Sequence, residues 1–145
     1  MMRRIPLLLA ATLLLLVAAP TASAAPGVKY GLTDDAWLAS GSGSLEQRLA
    51  KLDQLGVHVV RFTLRWDEIA RAKPATPADP SDSAYDWSGQ DAVLDGLHAH
   101  GIDVVLQLLG TPSWANGGKP SNYAPSSAAT FGAFASAAEI GRAHV

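Results

Sequence analysis

Two stretches of the chain carry the same pattern in different letters. Leu55-Gly-Val-His-Val-Val60 and His100-Gly-Ile-Asp-Val-Val105 each follow an amphipathic segment and pass through a glycine into an apolar, β-branched run. A glycine at that place ends a helix in a left-handed turn, and a short β-branched run reads as a strand. A helix-glycine-strand joint used twice means strands alternating with helices. Such alternation gives right-handed βαβ units and a parallel sheet.

Around these joints the elements fall into order. Val28–Leu32 is the expected first strand, and Thr33–Gly43 a polar, glycine-rich loop. Ser44 opens a helix, with Gln47 completing a capping box. Leu45, Leu49, Leu52 and Leu55 recur at helical spacing and should face the sheet. The second strand spans about His58 to Thr63, and its apolar run reads as buried on both faces. A short helical turn follows within Leu64–Arg71. Lys73–Ser83, holding Pro74, Pro77 and Pro80, is an exposed loop.

Ser88 is the expected N-cap of the next helix, with Asp91 at N3 and an apolar face of Val93, Leu94 and Leu97. The third strand is Ile102–Leu109, opening onto the loop Gly110–Gly118. Ser126 or Ser127 should cap a last helix whose inner face is Phe131, Phe134, Ala135 and Ala138. Closed (β/α)8 barrels and doubly wound sheets are both built from such units. No Gly-x-Gly-x-x-Gly joins a strand to a helix, so a dinucleotide site is not indicated.

The two ends do not belong to this pattern. Met1–Ala24 has Arg3-Arg4, an apolar run from Ile5 to Ala19 and an Ala22-Ser-Ala24 cleavage site, the layout of a secretory signal peptide. The run is short for a membrane span, so no lasting membrane association is expected after cleavage. At the other end, Ile140–Val145 (Ile-Gly-Arg-Ala-His-Val) resembles the conceptual translation of a sequencing adapter. The expected organisation is a leader over 1–24, a genuine segment over 25–139 and an artefact over 140–145.

The 145 residues hold no cysteine and carry a formal net charge of −2. A mildly acidic chain has no basic stripe for nucleic acid. A secreted chain without disulfides must rely on its core.

Taken together, Gly-Val-His-Val-Val-Arg-Phe with Trp66, Tyr85-Asp-Trp-Ser with Asp91, Gly-Ile-Asp-Val-Val-Leu and Thr111-Pro-Ser-Trp-Ala resemble the amino-terminal part of clan A glycoside hydrolases. These are secreted TIM barrels that include cellulases, β-xylosidases and β-galactosidases. The resemblance spans nearly all of the genuine segment and rests on the order and spacing of its motifs. It implies an α/β fold, a partial (β/α)8 barrel of about three βα units. It also implies retaining hydrolysis of O-glycosidic bonds in poly- or oligosaccharides by two glutamates about 5 Å apart. One would follow the fourth strand in an Asn-Glu-Pro type motif and the other the seventh. Neither motif occurs here, so no catalytic carboxylate is assigned and this chain alone is expected to be inactive. A non-catalytic carbohydrate-binding barrel is the alternative. A barrel hydrolase of another chemistry, such as a phosphodiesterase, would show metal-ligand clusters at strand ends.

Arg61 is the residue most in need of explanation: a charge near the end of a strand expected to be buried. It matches the family's arginine that hydrogen-bonds the nucleophile, and a guanidinium there would keep a carboxylate ionised and oriented. A structural ion pair is the other reading. Trp114 and Asn116, in the loop after the third strand, complete the expected active-site wall. The indole would stack on a pyranose, or pack under the rim; the amide would bond sugar hydroxyls, or brace the loop.

Gln107 has the same choice as Asn116. Trp66 and Trp87 are expected to pack against the barrel top. Asp67 and Glu68 are adjacent, point apart on a helical turn and are expected to be solvated. Asp34-Asp35 would reach a substrate or cap a loop. His98 and His100 lie two apart in a last helical turn, where they do not face each other. Neither a metal nor a cofactor is expected, and the partner is a carbohydrate.

Overall fold

The structure, a computed structural model, describes residues 27–142, with side chains as far as Glu139. The expected leader and the last residues of the adapter-like tail lie outside the described residues. The fold is mixed α/β. β1 (Gly31–Leu32), β2 (Val59–Arg65) and β3 (Asp103–Leu109) form a parallel sheet in the order β1-β2-β3. Val59 pairs with Gly31 on one side and with Asp103 on the other, and the β2–β3 register runs on to Arg65 opposite Leu109. Between β1 and β2 come α1 (Asp35–Ser40) and α2 (Leu45–Gln54), between β2 and β3 come α3 (Trp66–Ile69) and α4 (Ser88–Ala99), and after β3 come α5 (Ser113–Asn116) and α6 (Ala128–Arg142).

The repeated joint is the same hydrogen-bonded device both times. After α2, Gly56 N–H bonds Asp53 O at 3.0 Å and Val57 N–H bonds Leu52 O at 3.0 Å. After α4, Gly101 N–H bonds His98 O at 2.9 Å and Ile102 N–H bonds Leu97 O at 3.0 Å. This is the Schellman closure, and it needs a left-handed residue at its centre. Both glycines supply it, each at φ +66°. The next backbone step is then extended, so β2 and β3 leave their helices in the same way.

The core lies on one side of the sheet. Val60, Phe62 and Leu64 are buried against Leu49 and Leu52 of α2, Val93, Leu94 and Leu97 of α4, and Phe134, Ala137 and Ala138 of α6. The alternate residues of β2 and β3 face away, and there Val105 and Leu109 are 54% and 48% exposed. This corrects the expectation of a strand buried on both faces: β2 is covered on one face only. An apolar run alone does not distinguish the two cases.

Several local expectations also change. Thr33–Gly43 is not a loop, because α1 occupies its middle with Asp34 as N-cap, accepting from Trp37 N–H at 3.0 Å. Its C-terminal end is held by Arg48, which is 7% exposed. The Arg48 guanidinium donates to the carbonyls of Leu38 (3.0 Å), Gly41 (2.8 Å), Gly43 (2.7 Å) and Ala39 (3.3 Å). β1 is shorter than Val28–Leu32, and β2 runs two residues past Thr63 to Arg65. Leu55 sits past the end of α2 and is 60% exposed rather than facing the sheet. Ser88 is the first residue of α4 and not its cap; its hydroxyl donates to Asp86 at 2.7 Å. The capping box of Ser44 and Gln47 forms as expected.

Phe134 is the centre of the aromatic packing. It stacks on Trp66 at 5.1 Å and on Trp87 at 6.0 Å, with Tyr85 tilted beside it at 6.1 Å. Trp87 Nε1–H and Tyr85 Oη–H tie the proline-rich loop down by donating to Pro80 O (2.9 Å) and Pro77 O (2.5 Å). Burial, helped by the Asp82 charge, pushes the Tyr85 hydroxyl up to about 12.

Candidate functional site

The longer register of β2 moves Arg61 away from the strand end and into its first half. The residue at the carboxyl end is Arg65. Arg61 lies on the uncovered face, opposite Val105, and borders a shallow groove of about 320 Å3 with Gly31, Leu32, Thr33 and Val59. Its guanidinium has no carboxylate partner among the described residues. The carboxylate nearest in kind on that face, Asp103, is at the amino end and is paired with Lys29, which holds its pKa below the usual range. Arg61 is therefore neither buried nor part of an internal ion pair.

Arg65 is committed elsewhere. Its Nε donates to Asp67 Oδ1 at 3.0 Å and its Nη2 to Asp67 Oδ2 at 2.6 Å, a two-point grip. Nη2 also reaches Ser121 Oγ at 3.4 Å, and Glu68 lies 3.6 Å from Nε. The hydrogen bond to Asp67, then its charge, raise the Arg65 pKa against the cost of burial. Asp67 is thus not a solvated surface group: its side chain is 19% exposed, whereas Glu68 at 59% is open to water.

The loops after β2 and β3 lock together at Gly110. Its carbonyl accepts from Asp67 N–H at 3.1 Å. A Cβ at Gly110 would stand 2.0 Å from Asp67 Oδ1, and its φ is +77°. Only glycine lets the Arg65–Asp67 pair sit so close to the backbone.

Trp114 and Asn116 lie in and after this junction. Trp114 is half-buried; its Nε1–H donates to Ala70 O at 2.8 Å and its ring meets Trp66 edge-on at 5.6 Å. Asn116 is 2% exposed. Its Nδ2 donates to Pro120 O at 3.0 Å and its Oδ1 accepts from Lys119 N–H at 2.9 Å. The amide is spent on shaping the 116–120 turn. Gln107 is half-buried on the uncovered face, opposite Thr63.

Asp34 and Asp35 also serve the backbone. Asp34 caps α1, and Asp35 Oδ1 accepts from Thr63 N–H at 3.0 Å. His98 and His100 do not act as a pair. His98 is exposed, while His100 Nδ1 contacts Asp53 Oδ2 at 2.6 Å and its Nε2 lies 3.5 Å from Glu46 Oε1.

A larger groove, about 520 Å3, opens beside the free edge of β3 between Leu108, Leu109, Tyr123 and Phe131. Trp66 borders it and is 1% exposed, with an Nε1–H that has no acceptor among the described residues. No family model matches the chain, and no curated protein matches it.

Proposed function

We propose that the chain is the amino-terminal part of a secreted glycoside hydrolase with a (β/α)8 barrel, whose parent cleaves O-glycosidic bonds with retention. The observation that carries this reading is Arg61: a cation without a carboxylate partner among the described residues, on the uncovered face of a parallel sheet with helices on its other side. All-parallel sheets are almost always covered on both faces. In a barrel the uncovered face is the interior, and the groove beside β3 receives the next strand. Arg61, four residues before the carboxyl end of β2, would then reach along the barrel interior to the nucleophile carboxylate of a later strand, keeping it ionised and aimed at the anomeric carbon. Trp114 and Asn116 would shape the rim through the loop they brace.

The test is to read the gene beyond the Glu139 codon and express the extended protein. Expected are two strand-end glutamates, hydrolysis of an aryl glycoside, and a loss of about a hundredfold in kcat/KM for Arg61→Ala. No turnover is expected from the present chain. An extended gene without the glutamates, or turnover indifferent to Arg61, overturns the reading.

A further inference from the structure

We propose that the cleft between α3 and the loop after β3 binds the acidic group of a sugar through Arg71 and Lys119. The inference rests on the carbohydrate reading above and names the class of sugar. The cleft, about 310 Å3, is bordered by Asp67, Arg71, Thr111, Ser113, Lys119 and Ser121. It stands at the carboxyl ends of β2 and β3, where parallel α/β folds place ligands.

The charges there do not cancel. Asp67 is the cleft's own carboxylate, but Arg65 takes both of its oxygens. Glu68 leans on the same arginine. Arg71 and Lys119 pair with no carboxylate among the described residues. Arg71 acts only at a distance on Asp86, whose carboxylate is held by Ser88. Lys119 lies 5.7 Å over the Tyr123 ring. Two cations are thus left to face the cleft beside hydroxyl groups.

Three hydroxyls, of Thr111, Ser113 and Ser121, accept and donate to sugar hydroxyls, while a guanidinium and an ammonium take an anion. Together they suit a saccharide bearing a carboxylate or a sulfate ester. The buried Asn116 is the positioning residue for this cleft, because its amide fixes the backbone of Lys119 and the carbonyl of Pro120. Two cations on a mildly acidic chain are too few to track a nucleic-acid backbone.

The chain is titrated, with chemical shifts followed, against D-glucuronate, D-glucose 6-sulfate, D-glucose and inorganic sulfate at about 20 mM salt, where screening is weak. One or both acidic sugars are expected to bind about tenfold more tightly than glucose. The tighter arm identifies carboxylate or sulfate ester. An Arg71→Gln, Lys119→Gln double variant is expected to fall to the glucose level. Both positions are exposed, and circular dichroism checks that the fold is kept. Equal binding of glucose, a preference that survives the double variant, or inorganic sulfate binding as tightly as glucose 6-sulfate each overturns the proposal. The readout is binding, so a chain inactive on glycosides does not touch it. A parent hydrolase indifferent to the acidic group loses this inference and keeps the other.

Discussion

Asp35 stands in for a missing stretch of strand: its carboxylate accepts the N–H of Thr63 at 3.0 Å, beyond the point where β1 stops pairing with β2. A half-buried strand N–H without an acceptor costs about 1–3 kcal/mol. Asp35→Ala is therefore expected to lower unfolding free energy by about that amount in urea titration, and Asp35→Asn by less, since it keeps an acceptor. An alanine variant indistinguishable from wild type would mean that water replaces the carboxylate.

Arg48 has four backbone carbonyls and no ion-pair partner for its charge among the described residues. Arg48→Met keeps much of the stem and removes the donors, leaving the end of α1 and the turn before α2 unbonded. The expected loss is about 3 kcal/mol. Lysine should restore only part of it, because its ammonium cannot reproduce the fork that spans Leu38 and Gly43. Full restoration by lysine would show that charge alone suffices.

His100 makes stability depend on pH. Its hydrogen bond to Asp53 raises its pKa, and the charges of Asp53 and Glu46 add to the effect. A raised native pKa means that the folded chain holds the proton longer than the unfolded chain does. The contribution is complete below the ordinary histidine value of about 6.5 and is lost as pH rises through the native value. The Tm difference between wild type and His100→Gln should therefore be largest in mild acid and fade at alkaline pH. A difference that is flat, or that grows with pH, would contradict this.

Arg61 should matter little to folding. Its side chain is exposed and holds no carboxylate, so Arg61→Ala is expected to change stability by less than about 0.5 kcal/mol. A loss above about 1.5 kcal/mol would make it a structural cation and remove the argument for an active-site wall.

What could be read from the letters was what local chemistry dictates. The twin joints were legible because a Schellman turn requires glycine, and the capping box because Ser44 and Gln47 satisfy each other within one turn. α1 was not, since glycine and serine dominate its surroundings and its anchor, Arg48, comes from the following helix. Arg61 was legible as an anomaly but not as a face: an apolar run looks the same whether one side or both are covered. The Arg65–Asp67 grip was hidden because it forms where a strand bends into a helix, a geometry that neither period describes. Asn116 looked like any polar loop residue; only its burial shows that its amide is spoken for.

Phe134 lies between Trp66 and Trp87, residues from two earlier parts of the chain. On the ribosome, both indoles are made long before the ring that joins them. Until α6 has cleared the exit tunnel, Trp66 and Trp87 have only Trp114 and Tyr85 beside them and lack the ring that stacks on both. α6 is therefore the element that brings these two earlier parts of the chain together around one ring.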